Sequence, residues 1–355
     1  MKAVDLDFAL LALLSETPGL PGREALVAER IEHALPEKWV AETDSIGNLV
    51  CHNPEWKGCG PRVMLMAHMD EVGAIVRRIL PDGFLQVQRL GGMGVRALPG
   101  ARLNLWTSDG HCVPAQAGTL PQHLDTTEFL ALEEMYIDIG VESRQEAAEM
   151  GVQVGDGLTW SSSFERFGKN FIRGKAFDDR LGCYVMLLLA HTLIEQKTLP
   201  ACDLYFAFVV QEETRLTGGL SSVQRYDPEI VIGIDGTLPF DTPDLIGGQN
   251  DVRLGGGPAL KWLEAIRGKM ACTVPDLRLA QIIRSLAQES GIPLQDEVIV
   301  GLGTALNPVP YANGGVRIVG LSLPVRYHHS PVEMADLRDI EWMVALLSKI
   351  ARQPF

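Results

Sequence analysis

Three short apolar runs in this chain each end on residues that bind metals or move protons. Arg62 to Ala67 runs into His68, Asp203 to Val210 runs into Glu212 and Glu213, and Ile230 to Ile234 runs into Asp235. Runs of this length suit single buried strands. In open α/β sheets, binding groups gather at the carboxyl ends of the strands. Three strands ending in His, Glu-Glu and Asp therefore predict a sheet with one converging site, which is more than any one of these acids implies alone.

The segments around those runs agree. Asp5 to Leu14, Gly22 to Leu35, Leu181 to Gln196, Leu220 to Tyr226, Leu277 to Ser290 and Met334 to Ala351 read as helices. Trp39 to Cys51 alternates like a pair of strands, with Asp44 to Asn48 as the turn. Glu297 to Val300 and Val316 to Leu321 are further short strands. This alternation predicts an α/β fold, a sheet covered by helices on both faces. Between about Gly73 and Gly168 the texture changes to glycine turns and short strand-like pieces, with a helical piece at Ser143 to Met150. A small, mostly β unit, residues 71–170, is therefore expected inside an α/β domain made of residues 1–70 and 171–355.

A chain of 355 residues suits a large domain or two. Its formal net charge of -14 excludes a general nucleic-acid or anionic-membrane binder and favours attraction of cationic groups such as the free amine of a peptide. Phe8 to Leu14 is apolar, but Asp5 and Asp7 interrupt the approach and no small-residue cleavage site follows, so a first helix is expected rather than a signal peptide. No run is long enough to span a membrane. The six cysteines (Cys51, Cys59, Cys112, Cys183, Cys202 and Cys272) form no CxxC pair, which argues against a thiolate zinc site and for reduced thiols in the cytoplasm.

Each candidate site residue has a plain structural reading beside the chemical one. On an extended backbone His68 and Asp70 share a face, so Asp70 can accept the imidazole N–H that orients a ligand; a buried histidine satisfied by its neighbour has the same spacing. In Gly174 to Cys183, two adjacent acids, Asp178 and Asp179, sit between Lys175 and Arg180. A helix N-cap explains one of them, not both. Glu212 and Glu213 suit one metal ligand and one proton-transfer group, or two solvated loop acids. Asp235, before Gly236 and Thr237, also reads as a turn aspartate. His329, in the pair His328-His329 between a strand and a helix, is a further ligand candidate, and a double histidine also reads as surface decoration. Mixed histidine and carboxylate donors suit zinc, cobalt or manganese better than calcium or magnesium, and the number of donors suits two ions.

Taken together, His68-Met69-Asp70-Glu71-Val72-Gly73, Lys175-Ala176-Phe177-Asp178-Asp179-Arg180, Gln211-Glu212-Glu213, Asp235 and Arg326-Tyr327-His328-His329-Ser330 resemble the signatures of the M42 glutamyl aminopeptidase family, dinuclear metallo-aminopeptidases. The likeness runs almost end to end, from Thr43-Asp44-Ser45-Ile46-Gly47-Asn48-Leu49 through Tyr136 to Gly140 and Gly151 to Asp156. It implies a zinc-aminopeptidase-like mixed sheet flanked by helices, with an inserted β domain that mediates homo-oligomers, dimers assembling to a dodecamer. It implies hydrolysis of N-terminal residues from peptides by two divalent ions per subunit, zinc or cobalt before manganese. Asp178 would bridge the ions, His68 and Asp235 would complete one, and Glu213 and His329 the other. Glu212 would be the general base for the bridging water, Asp70 would orient His68, and a cis peptide would join Asp178 to Asp179.

Three positions depart from the family's usual pattern. Thr214 to Gly219 displaces an arginine, Thr304-Ala305-Leu306 lacks an aspartate, and His328 stands where methionine is common. Two other readings remain in view: an endoglucanase-like glycoside hydrolase, and a non-catalytic peptide-binding or assembly protein on the same fold.

Overall fold

The computed structural model describes residues 6–56, 60–124, 132–268 and 272–355. Its main sheet has nine strands. In spatial order they are Val40–Thr43, Leu49–His52, Asp203–Val209, Arg62–His68, Ile230–Thr237, Arg317–Pro324, Ala259–Ala265 and Cys272–Thr273, with Gln295–Val300 also paired to Ala259–Ala265. The four central strands are mutually parallel. Their carboxyl ends therefore meet at one edge, which brings His68, the Glu212 turn, Asp235 and the His328-His329 turn together although they lie far apart in sequence.

The faces of the sheet are covered unequally. Helices Phe8–Glu16, Ala25–Ala34, Phe177–Glu195, Leu277–Ser290 and Leu337–Ile350 share one large core with the inward residues Val63, Leu65, Phe206, Phe208, Ile232 and Leu321. The other face is covered by the short helix Leu220–Tyr226 and a 3-10 turn at Val309–Tyr311, over Met64, Met66, Val209 and Val231. Helices thus lie on both faces, but most of the apolar burial is on one. The first helix spans Phe8–Glu16, capped by the Asp7 carboxylate; Asp5 lies outside the described residues.

Two expected elements differ. Met334 does not begin the last helix: Glu333–Asp336 is a strand paired to Phe171–Gly174, and the helix starts at Leu337, with Asp336 as its N-cap. Asp235 is not a turn residue, because the strand continues through it to Thr237, held in register by Arg317–Pro324. Between Met69 and Phe171 the strands Gly73–Ile79, Leu85–Leu90, Arg102–Trp106, Cys112–Ala117, Ile137–Asp138 and Gly157–Trp160 close into a barrel. Alternate residues such as Val76, Val87, Leu103, Leu105 and Leu158 fill a core separate from that of the main sheet.

Cys51, Cys112, Cys183, Cys202 and Cys272 are free thiols, and Cys59 lies outside the described residues. Among the described residues no helix is long and apolar enough to cross a membrane.

A buried ion pair braces the loop after His68. Lys175 Nζ donates to both oxygens of Glu71, at 2.6 and 2.7 Å, and Gly19 N–H adds a third bond at 3.2 Å. Both side chains are 2% exposed. Removing one partner of such a pair leaves an uncompensated buried charge. Glu71→Gln is therefore expected to lower unfolding stability by about 3–5 kcal/mol. Denaturant unfolding with an unchanged midpoint would refute this.

Candidate metal centre

His68 is the last residue of its strand and is 2% exposed. Its Nδ1 lies 3.1 Å from the main-chain O of Asp70, while Nε2 faces Asp178 Oδ1 at 3.4 Å and Asp235 Oδ1 and Glu212 Oε2 at 3.9 Å. His329 repeats the arrangement from the opposite side. Its Nδ1 lies 2.9 Å from the carbonyl of Gly92, in the loop after the barrel strand Leu85–Leu90, and Nε2 faces Asp178 Oδ2 at 3.3 Å and Glu213 Oε1 at 3.1 Å. A carbonyl only accepts, so each Nδ1 carries the proton. Each Nε2 then aims its remaining valence at carboxylate oxygens. Such a facing pair is held either by a proton on Nε2 or by a cation between the two atoms, and the second is how ligating histidines are oriented.

Asp178 and Asp179 divide their work. The backbone at both residues is non-helical, and their peptide bond is cis. Asp179 caps the helix that follows, accepting Gly182 N–H at 3.1 Å, and its other oxygen accepts His68 N–H at 3.2 Å. Asp178 is left free for the imidazoles of His68, His328 and His329, the last two 3.1 and 3.3 Å from its Oδ2.

Asp70 reaches His68 mainly through its main chain; its Oδ1 lies 3.4 Å from the ring. Its carboxylate instead caps the Glu-Glu turn, accepting Glu212 N–H and Glu213 N–H at 3.0 Å each. Glu333, which the sequence motifs do not single out, does the same on the other side: Oε2 accepts Asp178 N–H at 3.1 Å and Oε1 accepts His329 N–H at 2.6 Å. Its place four residues beyond His329 is the only sequence signal for this role. Among the described residues, four of the nine non-glycine residues with positive φ (Ala176, Gln211, Tyr327 and His329) lie at these turns. Such backbone persists where surrounding contacts hold it.

The electrostatics show an excess of acid. Burial, then Asp178, pushes the Asp179 carboxyl well above the usual range. Burial, then Asp179 and Asp178, does the same to Asp235, and burial together with Glu213, Asp70 and Asp178 raises Glu212. Burial would also raise Asp178, but the His328, His329 and His68 rings hold it well below. Burial opposes charge on His68 and His329, and the facing carboxylates overcome it and raise both. Asp178 Oδ1, Glu212 Oε1 and Glu213 Oε1 are buried and accept no hydrogen bond.

Buried carboxylates in this number need positive charge. Among the described residues three groups have donor atoms within 4.8 Å of one another: Asp178-His328-His329, His68-Asp178-Glu213 and His68-Asp179-Asp235. The donor set therefore fits divalent cations, and all of Asp70, Glu212 and the expected ligands His68, Asp178, Glu213, Asp235 and His329 meet at this edge. Arg215 is exposed at the end of the short helix that carries Glu212 and Glu213. Beside the missing aspartate near Thr304 a carboxylate is present after all, because Thr304 Oγ1 donates to Glu264 at 2.8 Å.

The family model described as M42 glutamyl aminopeptidase matches residues 47–346. A lysyl aminopeptidase of Pyrococcus furiosus is 31% identical, over 98% of this chain and 97% of its own. The solved aminopeptidase of Desulfurococcus kamchatkensis has a TM-score of 0.91 and 31% identity, covering 97% of this chain and 94% of its own. The TET1 peptidase of Pyrococcus horikoshii, described as assembling into a tetrahedron or a large octahedral shell, has a TM-score of 0.85 and 28% identity, covering 97% and 99%.

Proposed function

The chain belongs to the M42 glutamyl aminopeptidase family and is an aminopeptidase, and we propose that it works with two divalent ions, zinc or cobalt before manganese, shared between His68, Asp178, Glu213, Asp235 and His329. The observation that carries this reading is the pair of rings, His68 and His329, whose Nδ1 protons are committed to carbonyls while both Nε2 atoms face the carboxylate of Asp178. Divalent ions, when bound, polarise a carbonyl and acidify water.

Glu212 is the general base. Its buried Oε1 accepts no hydrogen bond and is free to take a proton from water and return it to the departing amine. Asp70 positions Glu212 and Glu213 by holding their N–H groups, and Glu333 positions Asp178 and His329 likewise. The acidic surroundings suit the cationic N-terminus of a peptide. A glycoside hydrolase is not favoured, since glycosidases work with two carboxylates and have no use for three imidazoles around one aspartate. A pure peptide binder has no use for an unengaged acid at Glu212.

The barrel mediates assembly of copies of this chain, dimers building towards a dodecamer. The shells described for the Pyrococcus horikoshii relative support this, and sedimentation of the purified protein measures it. The free thiols suit a cytoplasmic setting.

Exhaustive chelation should abolish release of aminoacyl anilides, and added zinc or cobalt should restore it, with no sugar released from cellulose. Full activity in protein verified metal-free by elemental analysis would end the reading. A panel of aminoacyl anilides ranks the preferred N-terminal residue.

A further inference from the structure

One imidazole at the centre has no role in the ligand set above. The His328 side chain is 8% exposed, more buried than that of His329 at 29%. Its Nδ1 lies 3.1 Å from Asp178 Oδ2, the oxygen that also faces His329 Nε2 at 3.3 Å. Its Nε2 is buried without a hydrogen-bond partner. The ring lies against the Asp235 strand at Gly236, where a Cβ would stand 2.8 Å from His328 Cε1 and 3.1 Å from Nε2. Glycine at that position leaves the space the ring fills.

The separations have a metal-site scale. With ligand bonds of about 2.0–2.1 Å in a tetrahedron, neighbouring donor atoms stand about 3.3 Å apart. His328 to Asp178 at 3.1 Å, His329 to Asp178 at 3.3 Å and His329 to Glu213 at 3.1 Å are all near that edge length. Asp178, His328 and His329 also form a group whose donor atoms lie within 4.8 Å of one another.

We propose that His328 Nδ1 is a further metal ligand, on the side of His329 and Glu213. The inference rests on the two-ion reading above and deepens it. The ion on that side then has four protein donors, Asp178, Glu213, His328 and His329, whereas the side of His68 has three, with Asp178 and Asp235. Four protein donors make a closed site of the structural type, and three keep a position open for substrate. The two sites are therefore unequal. The closed one binds more tightly, and its two imidazoles favour zinc over manganese.

The test strips the protein with chelator and titrates zinc against a competing chromophoric chelator, with the visible spectrum of the cobalt-loaded protein as a second readout. Wild type should show two sites of different affinity. His328→Asn keeps an amide nitrogen near the Nδ1 position that can donate to Asp178 but ligates poorly, and His328→Met removes both functions. Both variants should weaken the tighter site by at least about tenfold, leave the weaker one unchanged, and alter the cobalt spectrum. Thermal unfolding of the metal-free variants checks that they fold. Wild-type affinities and spectrum in folded His328→Asn would reduce His328 to a hydrogen-bond donor and overturn the proposal, leaving the two-ion reading intact. Wild-type protein that binds no zinc would overturn both.

Discussion

Glu212→Gln should hold both ions and turn over peptides about 10²–10⁴-fold more slowly, the usual contribution of a positioned general base. The substitution keeps the shape of the side chain and the main-chain bond from Glu212 N–H to Asp70. It removes only the ability of Oε1 to take a proton. The ligand atoms are on other residues, so elemental analysis of the dialysed variant should match wild type. The kinetic loss should fall on kcat. Wild-type turnover would remove Glu212 from the mechanism. Loss of metal together with activity would make Glu212 a ligand and move the base elsewhere.

Asp178→Asn should be more damaging and different in kind. One carboxylate oxygen faces His68, and the other faces His328 and His329. The amide is a weak ligand and brings an N–H₂ donor in place of one oxygen. Both sites depend on this residue, so metal affinity should fall by more than about a hundredfold, beyond the 10–100-fold typical of outer-shell changes. Activity should fall to background at ordinary metal concentrations. The variant should still fold, because Asp179 keeps the helix cap and the bond to His68 N–H. Two ions retained per subunit after dialysis would show that Asp178 does not link the sites.

The sheet was legible in sequence where a strand is apolar throughout. Arg62–His68 and Asp203–Val209 are buried on both faces, and their period and length leave little choice. The strand Ala259–Ala265 was not, because Lys261 and Glu264 interrupt its pattern. Lys261 and Glu264 face each other at 3.7 Å, and their further partners are distant in sequence: Lys261 lies 3.1 Å from Glu297, and Glu264 accepts from Thr304. No local window contains Glu297 or Thr304. Glu333–Asp336 was hidden for a related reason. Its strand character comes from pairing with Phe171–Gly174, more than 150 residues earlier.

The candidate site was legible as a set of donors and less so as a scaffold. His68, Glu213 and His329 announce themselves by residue type and neighbourhood. That Asp70 caps the Glu-Glu turn, or that Glu333 spans two ligand-bearing segments, depends on the direction in which each carboxylate points once the strands are assembled. The motif Asp178-Asp179 illustrates the limit. By residue type its two acids are equivalent; the resemblance singles out Asp178, and the fold gives Asp179 to a helix and a histidine backbone and Asp178 to three imidazoles.

The bond between His329 Nδ1 and the Gly92 carbonyl, with Gly94 N–H returning to the His329 carbonyl at 3.1 Å, joins the barrel to the ion site. A partner that shifts this seam would change the affinity of the candidate site beside His329, and filling that site would then change the affinity for that partner by the same factor. Metal supply and subunit association would then report on each other, with this seam as the place where the exchange occurs.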